Sequence, residues 1–330
     1  MRGDPAAVRP KHCGRSAKAI GLLRAYTLGC STSASERLAV TPIALAVLGG
    51  SGFYEMPGLE SVEELSPETP FGPPSDTIRV GTLAGVRVAF LARHGRGHTL
   101  LPSEIPQRAN IWALKSLGVE RVIGVSAVGS LRRDYRPGDI VVPDQLIDRT
   151  RGSRAGTFFG GGVVAHVGFA EPFCPALRTA CRESASAAGA PAHDGGAYVC
   201  IEGPAFGTRA ESELYRQWGA SIVGMTALPE AKLAREAELC YATLAAVTDF
   251  DSWREEHEAV DAKSVFEVLK ANVDAGREAI RLLVGRLAAL EPCNCRTTLD
   301  AALVTARSAI AEDSRQRLEP ILRRRLGGER

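Results

Sequence analysis

The sequence contains no hydrophobic run that could cross a lipid bilayer. A membrane-spanning helix needs about 18–20 consecutive apolar residues, and no apolar run in this chain approaches that length. The chain also lacks an excess of either charge, because its 40 basic and 38 acidic residues leave a net charge of +2. This balance gives no electrostatic reason to expect nucleic acid or a membrane surface as a partner.

The eight cysteines lack the spacing of a zinc finger. Cys200 and Cys240 fall in apolar segments with the composition of buried strands, while Cys293 and Cys295 form a Cys-x-Cys pair. Buried thiols that stay reduced are typical of cytosolic proteins. We therefore expect a cytoplasmic protein with reduced cysteines and no bound metal.

Two common nucleotide-binding motifs are missing as well. Residues 43–48 predict a buried strand, and Gly49-Gly50-Ser51-Gly52 follows it. The third glycine of a dinucleotide fingerprint would fall on Glu55, and the lysine of an ATP-binding P-loop is absent. A Rossmann dehydrogenase is therefore excluded, although such a turn still lets backbone amides approach an anion closely.

What the sequence does contain is typical of a globular α/β protein. Of its 330 residues, 45% are apolar and 24% are charged. Strands and helices alternate from Leu45 to Leu290 without an obvious linker, which predicts a single-domain mixed central sheet flanked by helices. We expect this domain to span residues 41–312 and a solvated basic tail to span residues 313–330. Residues 1–40, with seven basic and two acidic residues, are expected to form a flexible basic leader, or to reflect a start codon assigned too far upstream.

Five segments between and beyond these strands have definite predictions. Residues 110–117 and 262–290 have the apolar spacing of amphipathic helices. Thr208 and Glu211 have the spacing of a capping box at a helix start. Residues 298–311 are predicted to be a final helix, and the glycine-rich residues 152–162 a mobile surface loop.

The most informative stretch is Ile222 to Trp253, which predicts a strand end, a helix, a strand and an acidic loop. Pro229 suits the first turn of a helix, and residues 241–247 form a short apolar run typical of a buried strand. Asp249 and Asp251 follow that strand. Open α/β sheets place their ligands at the carboxyl ends of strands, so these acids are candidate site residues.

A basic loop is the second candidate site. The run Arg93-His94-Gly95-Arg96-Gly97-His98 follows a predicted strand directly. It could be a solvated loop, but a guanidinium fork with further donors is also what a dianion requires. Ser126 and Ala127 end another predicted strand, and their small size would let a hydroxyl and an amide reach the same anion.

Two runs carry a resemblance to a known family. Met-Thr-x-x-Pro-Glu at 225–230 and Thr-Asp-x-Asp-x-Trp at 248–253 resemble the trimeric purine nucleoside phosphorylases, and most of all their 5′-methylthioadenosine phosphorylase branch. The resemblance implies the nucleoside phosphorylase fold, a homotrimer or a dimer of trimers, and a nucleoside and phosphate as small-molecule partners. It also implies that phosphate is a co-substrate and that no metal or organic cofactor is needed.

The resemblance also assigns roles to individual residues. Asp249 would act at purine N7 as a general acid, directly or through water, and Asp251 would accept from the exocyclic 6-amino group. Met225 would pack under the ribose. The remaining assignments are a phosphate cradle of Ser51, Arg93, His94, Ser126, Ala127 and Thr226, purine stacking by Phe206, 5′-end contact by His166 of a neighbouring subunit, and specificity positions at Gly207 and Ala262, which depart from relatives.

Alternatives to adenine-nucleoside phosphorolysis stay open. Gly207 and Gly224 are features that weaken the adenine assignment, so 5′-methylthioinosine or 6-oxopurine nucleosides such as inosine and guanosine are alternative substrates. A nucleoside hydrolase would use water in place of phosphate, which the basic loop argues against. A purine-binding protein without catalysis would bind adenine without turnover.

Overall fold

The structure, a computed structural model, describes residues 42–50, 52–53, 56–152, 154–254 and 262–327, leaving aside the side chains of residues 262, 264–266 and 269–272. The predicted leader at residues 1–40 lies outside them. The strands are β1 Leu45–Gly49, β2 Glu60–Leu65, β3 Ile78–Leu83, β4 Val86–Ala92, β5 Arg121–Ser130, β6 Ile140–Val142, β7 Gln145–Arg149, β8 Ala192–Asp194, β9 Ala197–Ile201, β10 Ala220–Gly224 and β11 Cys240–Asp249. The α-helices are α1 Gln107–Ser116, α2 Pro175–Ala187, α3 Arg209–Gln217, α4 Ala227–Glu236, α5 Ala262–Arg286, α6 Glu312–Arg317 and α7 Glu319–Leu326.

The strands form one mixed sheet, as predicted. Its main order is β2-β3-β4-β1-β5-β10-β9-β7, and β11 pairs with β5 and β6 off this path. β5 is the branch point. Along one edge β5 pairs in parallel with β11 over nearly its whole length. Along the other edge it pairs with β1 at residues 122–124 and with β10 at residues 129–130. The sequence predicts β1, β5 and β11 as apolar runs because central strands are buried on both faces.

Helices cover both faces of this sheet. α2 and α5 pack together on one face, against β11, and α1, α4 and α7 pack on the other. Two clusters of buried apolar side chains fill the spaces between these layers and the sheet. Among the described helices, none combines the length and the apolar character that crossing a membrane requires.

Most local predictions are confirmed. α1 ends at Ser116 and is followed by the predicted Gly118, whose φ of 77° is the left-handed conformation that glycine adopts at low cost. Thr208 and Glu211 form the predicted capping box at the start of α3. The predicted long helix is α5, which ends at Arg286 and continues as a 3-10 turn, Leu287–Ala289.

The prediction of a final helix over residues 298–311 is wrong. The chain there forms two short 3-10 segments, Asn294–Asp300 and Arg307–Ala309. Between them the backbone is extended, because the amide of Val304 donates to the carbonyl of Val164 at 2.9 Å and the amide of His166 donates to Ala302 at 2.9 Å. Pairing with a distant segment therefore overrides the local helix preference.

The prediction of a solvated tail from residue 313 is also wrong for the described residues. α6 and α7 continue the domain, and Leu318, Ile321 and Leu322 are fully buried in the core. The arginines that suggest a tail have acidic partners: Arg324 lies 2.6 Å from the buried carboxylate of Glu238. α7 is thus an amphipathic helix, and its consecutive arginines make its apolar spacing hard to recognise in the sequence.

Candidate active site

One cavity collects most of the predicted site residues. It has a volume of about 310 Å³ and lies where β5, β10 and β11 end, at the lower end of the size range for small-molecule sites. Ser51 and the side chain of Ala262 lie outside the described residues, and His166 does not line the cavity. The predicted residues that do line it are Arg93, His94, Ser126, Ala127, Phe206, Gly207, Met225, Thr226, Asp249 and Asp251.

A gap in strand pairing creates one wall of this cavity. β1 leaves β5 after Gly124, and β10 joins the same edge only at Gly129. The Val125 carbonyl in this gap accepts a hydrogen bond from Arg93 at 3.0 Å. Because alternate residues of a strand direct their backbone groups to the same edge, Ala127 presents its amide to the gap. An unpaired strand amide beside a cationic side chain is suited to an anion.

Arg93 fills the base of the gap and is almost fully buried. Its Nε and Nη2 contact the two carboxylate oxygens of Glu230 at 2.7 and 2.9 Å, Nη2 also donates to the Leu48 carbonyl, and Nη1 donates to Val125. These four bonds leave one of the five guanidinium N–H groups without an acceptor in the described chain. Arg93 therefore has a structural role first, with one donor left for a ligand.

The ion pair between Arg93 and Glu230 can lie this close to β5 only because residue 124 is a glycine and has no side chain. A Cβ atom at Gly124 would lie 2.8 Å from Glu230 Oε1, 2.6 Å from Tyr241 Oη and 3.1 Å from Arg93 Nη2. The Tyr241 hydroxyl donates to Glu230 Oε1 at 2.8 Å. Two charged groups and a phenol thus share the space that a side chain on β5 would occupy.

His94 lies beside this ion pair in a defined tautomer. Its Nδ1 is 2.9 Å from the Leu100 carbonyl, which can only accept, so Nδ1 carries the proton. Burial lowers the pKa of His94 to about 4, and the imidazole is therefore neutral near pH 7. Its ring stacks on that of His98 with centroids 4.2 Å apart. Neutral His94 leaves Nε2 as an acceptor, which can bind the hydroxyl of a protonated phosphate.

Further polar groups of this wall are buried without partners. Ser126 Oγ and Tyr198 Oη lie close to each other and to Thr226, yet in the described chain neither makes a hydrogen bond of good geometry. Unsatisfied buried hydroxyls are costly, at about 1–3 kcal/mol each. A ligand that bonds to Ser126 would remove this cost, and Ser126 and Thr226 both line the cavity.

The acidic loop forms the opposite wall. Asp249 ends β11, and its two oxygens accept from the Thr248 hydroxyl and the Asp251 amide, both at 2.7 Å. Burial raises the pKa of Asp249, and these two hydrogen bonds oppose the rise. Burial also raises the pKa of Asp251, and the negative charge of Asp249 adds to it. A carboxyl group that binds its proton more tightly than usual is suited to general-acid work.

Side chains behind the cavity fix this loop. The Trp253 indole N–H donates to the Ser130 carbonyl at 2.7 Å, and the Arg216 guanidinium lies 3.8 Å from the centre of the indole ring. The Ser252 hydroxyl donates to the Gly207 carbonyl at 2.8 Å. The last bond joins the acidic loop to the segment of Phe206, a half-exposed ring at the cavity wall.

Residues 44–287 match the profile described as the Phosphorylase superfamily. The S-methyl-5′-thioadenosine phosphorylase of Geobacter sulfurreducens is 52% identical over 84% of this chain and 97% of its own length. That of Chloroflexus aurantiacus is 55% identical over 84% of this chain and 96% of its own. The chain belongs to the S-methyl-5′-thioadenosine phosphorylase family.

Solved structures of the methylthioadenosine phosphorylase family share the fold. A methylthioadenosine phosphorylase from an antarctic soil metagenomic library superposes with a TM-score of 0.82 at 48% identity, covering 86% of this chain and 99% of its own. A point mutant of adenosine/methylthioadenosine phosphorylase from Schistosoma mansoni, in complex with methylthioadenosine, gives a TM-score of 0.73 at 36% identity, covering 82% and 99%.

Sequence reasoning missed three residues that shape the site. Glu230 stands in the quoted Met-Thr-x-x-Pro-Glu run, and its complete burial is the reason it needs Arg93. Arg154, in the segment predicted to be a mobile loop, is instead buried and donates to the Met225 carbonyl at 2.6 Å. Tyr198 explains Gly224, because a Cβ there would lie 2.3 Å from the Tyr198 hydroxyl. Gly224 thus has a packing reason that is independent of the purine bound.

Proposed function

We propose that this chain is a pentosyltransferase that cleaves 5′-methylthioadenosine with phosphate, giving adenine and 5-methylthioribose 1-phosphate. The observation that carries the proposal is a cavity with two unlike walls. One has a cation, a strand amide that faces the gap and the Ser126 hydroxyl without a partner in the described chain, and the other has two half-buried carboxyl groups with raised pKa values. The first suits a dianion and the second suits an amino-purine. The names of the relatives support the same reaction.

The first wall would hold the nucleophile. Phosphate would bind the remaining Arg93 N–H, His94, the Ala127 amide and the hydroxyls of Ser126 and Thr226. Fixed there, it would attack C1′ while its negative charge stabilises the oxocarbenium-like transition state. Ser51 would add a further donor, and Met225 would pack under the ribose. No metal or organic cofactor is needed for this chemistry.

The second wall would help the base to leave. Protonated Asp249 would donate to N7 as the glycosidic bond breaks, directly or through one water, and the electron pair of that bond would pass into the purine. Asp251 would accept from the 6-amino group, and Phe206 would stack on the purine face. A carboxylate at this place repels a 6-keto oxygen, so adenine is favoured over hypoxanthine or guanine.

The binding site for the 5′ end of the nucleoside would be completed by a neighbouring subunit of an oligomer. We propose a cytoplasmic homotrimer in which His166, exposed on the single chain, closes over the 5′ group of a neighbouring subunit. The six cysteines of the described residues are all free thiols, which supports a reducing compartment. Gly207 and Ala262 would set the size of the pocket, and some turnover of adenosine follows if that pocket is roomy.

The test is release of free purine from 5′-methylthioadenosine, 5′-methylthioinosine and inosine, each with and without phosphate. We expect phosphate-dependent adenine release from 5′-methylthioadenosine to be the fastest reaction. Purine release at the same rate with and without phosphate would instead identify a hydrolase. Faster release from an inosine substrate would overturn the assignment of the base, and adenine binding without turnover would overturn catalysis.

Substitution of Thr248 by Val should shift the pH dependence of this reaction. The Thr248 hydroxyl stabilises ionised Asp249, so its loss raises the pKa of Asp249 further. A general acid works while it is protonated, and activity is lost as pH rises through its pKa. One hydrogen bond contributes about 0.5–1.5 kcal/mol, which moves the alkaline limb of the kcat/KM profile upward by about 0.4–1 pH unit.

Thr248→Ser is the matched control, because it keeps the hydroxyl and should leave the alkaline limb in place. Ionisation of phosphate itself affects all three enzymes equally and cancels in the comparison. A downward shift in Thr248→Val would contradict the general-acid role of Asp249.

A further inference from the structure

Four cysteine thiols meet at a point far from the cavity described above. The sulfur atoms of Cys174, Cys240, Cys293 and Cys295 all lie within 4.8 Å of one another, and the Cys240 and Cys293 sulfurs are 3.4 Å apart. Three of the four side chains are buried and Cys293 is half-buried. Nothing in the proposed phosphorolysis uses them.

The four thiols come from three separate segments of the fold. Cys174 is the N-cap of α2, and Cys240 is the first residue of β11. Cys293 and Cys295 lie at the start of the 3-10 segment Asn294–Asp300. The Cys174 amide donates to the Tyr241 carbonyl at 2.8 Å, and the Cys240 amide donates to Glu120 at 3.2 Å. Two of the thiols are therefore fixed by the sheet before any ligand binds.

We propose that these four cysteines form a mononuclear metal site that binds a thiophilic divalent ion, with zinc the first candidate. A tetrahedral site with Zn–S distances of about 2.3 Å places its sulfurs about 3.8 Å apart. The Cys240–Cys293 separation of 3.4 Å and the upper limit of 4.8 Å for all the pairs lie on either side of that value. An all-thiolate set selects soft ions over Mg²⁺ or Ca²⁺.

Binding would replace protons by the ion. One Zn²⁺ and four thiols give a tetrathiolate complex of net charge −2 and release four protons. A cavity of about 760 Å³ reaches Cys293 and Cys295 from the surface, and Arg235 and Arg286 line it. The cavity supplies a path for the ion. Its two arginines are balanced by Glu171, Glu183 and Glu291 in the same lining, so the lining has no excess of positive charge.

The role of such an ion is structural. Cys240 begins β11 and Asp249 ends it, and a strand of this length at about 3.3 Å per residue separates them by about 30 Å. The ion cannot contact the nucleoside. It would instead join α2, β11 and the segment after α5, which no disulfide links among the described residues. The inference does not depend on the proposed reaction.

The experiment uses the full chain, purified under reducing, oxygen-free conditions from cells supplied with zinc. We expect about one zinc or iron per chain by elemental analysis after extensive dialysis. Replacement by Co²⁺ should give the intense visible absorption and sulfur-to-cobalt charge transfer of a tetrahedral thiolate site. Removal of the metal with a chelator and a reversible organomercurial thiol reagent should lower Tm by several degrees, and release of the reagent with excess thiol followed by re-addition of zinc should restore it.

Cys174→Ser and Cys295→Ser should each lower metal content at least tenfold. The matched control is Cys181→Ala, a buried cysteine of α2 outside the cluster, which should keep full occupancy. If the serine variants do not fold, metal content and the cobalt spectrum of the unsubstituted chain still decide the question. Four titratable thiols without metal, disulfides without metal, or bound cobalt without thiolate bands would each overturn the proposal.

Discussion

Substitution of Asp249 by Asn is expected to slow adenine release from 5′-methylthioadenosine by about 10²–10⁴-fold, the usual contribution of a general acid. A carboxylic acid can transfer its proton to N7 and become a carboxylate, whereas an amide is too weak an acid to transfer a proton and can only donate a hydrogen bond. The loss should appear mainly in kcat, measured at saturating phosphate. It is the largest catalytic effect that the site predicts.

The Asp249→Asn variant should fold normally, which makes the result interpretable. The Asn carbonyl can accept from the Asp251 amide, where Asp249 Oδ1 does so at 2.7 Å. The Asn amide can donate to Thr248 Oγ1, whose hydroxyl then donates to the Val128 carbonyl at 3.3 Å. Hydrogen bonding is therefore conserved, and we expect Tm to change by no more than a few degrees.

Two comparisons separate proton donation from other effects of this substitution. In a 5′-methylthio nucleoside that is methylated at N7, the purine already has a positive charge and can leave without protonation. The Asp249→Asn variant should therefore lose far less activity on this substrate. Asp274→Asn, at an exposed position of α5, should behave like the unsubstituted chain. Equal losses of Asp249→Asn on both nucleosides would show that Asp249 positions the substrate and donates no proton.

Substitution of Glu230 by Gln is expected to lower the free energy of unfolding by about 3–5 kcal/mol, because it leaves Arg93 buried without its counter-charge. The Gln amide would also face an Arg93 N–H group in place of a carboxylate oxygen. Such a change corresponds to a fall in Tm on the order of 10 °C. Thermal unfolding without phosphate measures it directly.

Glu236→Gln is the matched control for this prediction. Glu236 is also a buried acid of α4, but its oxygens accept from the Thr157 hydroxyl and the Phe158 amide, both at 2.7 Å, and from no cation among the residues that the structure describes. We expect a smaller loss there, of about 1–3 kcal/mol. If Glu230→Gln is no more destabilising than Glu236→Gln, the ion pair is not what holds Arg93 in place.

Glu230→Gln should also raise the KM for phosphate. In the described chain Arg93 has one N–H left for a ligand, and its pairing with Glu230 sets the direction in which that N–H points. The KM for the nucleoside should change much less. An unchanged KM for phosphate would mean that Arg93 contributes to folding alone.

The residue pattern along the chain was sufficient to predict those features that depend only on residues close in sequence. The apolar run of β11 and the acids after it, the capping box at Thr208 and the glycine that ends α1 depend on neighbours within a few residues. The order of these elements also favours an α/β sheet with its site at the strand ends, and the structure has a cavity there. The sequence by itself therefore determined the fold class, and the family resemblance it carries identified ten of the residues that line the cavity.

Pattern failed where a distant partner decides the conformation. Residues 302–304 pair with the backbone near Val164, and the arginines of α7 find Glu238, so a predicted helix is extended and a predicted tail is packed. The same limit applies to Gly224, whose reason is the Tyr198 hydroxyl on a neighbouring strand. Periodicity along a chain contains no information about which residues will face each other across a fold.

Tertiary structure alone decided the chemistry at two points. Arg93 looks like a free phosphate ligand in the sequence, yet its main partner is Glu230, 137 residues away. The four clustered cysteines lack zinc-finger spacing because three separate segments supply them, and only the packing of α2 and the segment after α5 against β11 brings their sulfurs together. Burial and proximity set the charge and reactivity of a side chain, and both exist only once the chain has folded.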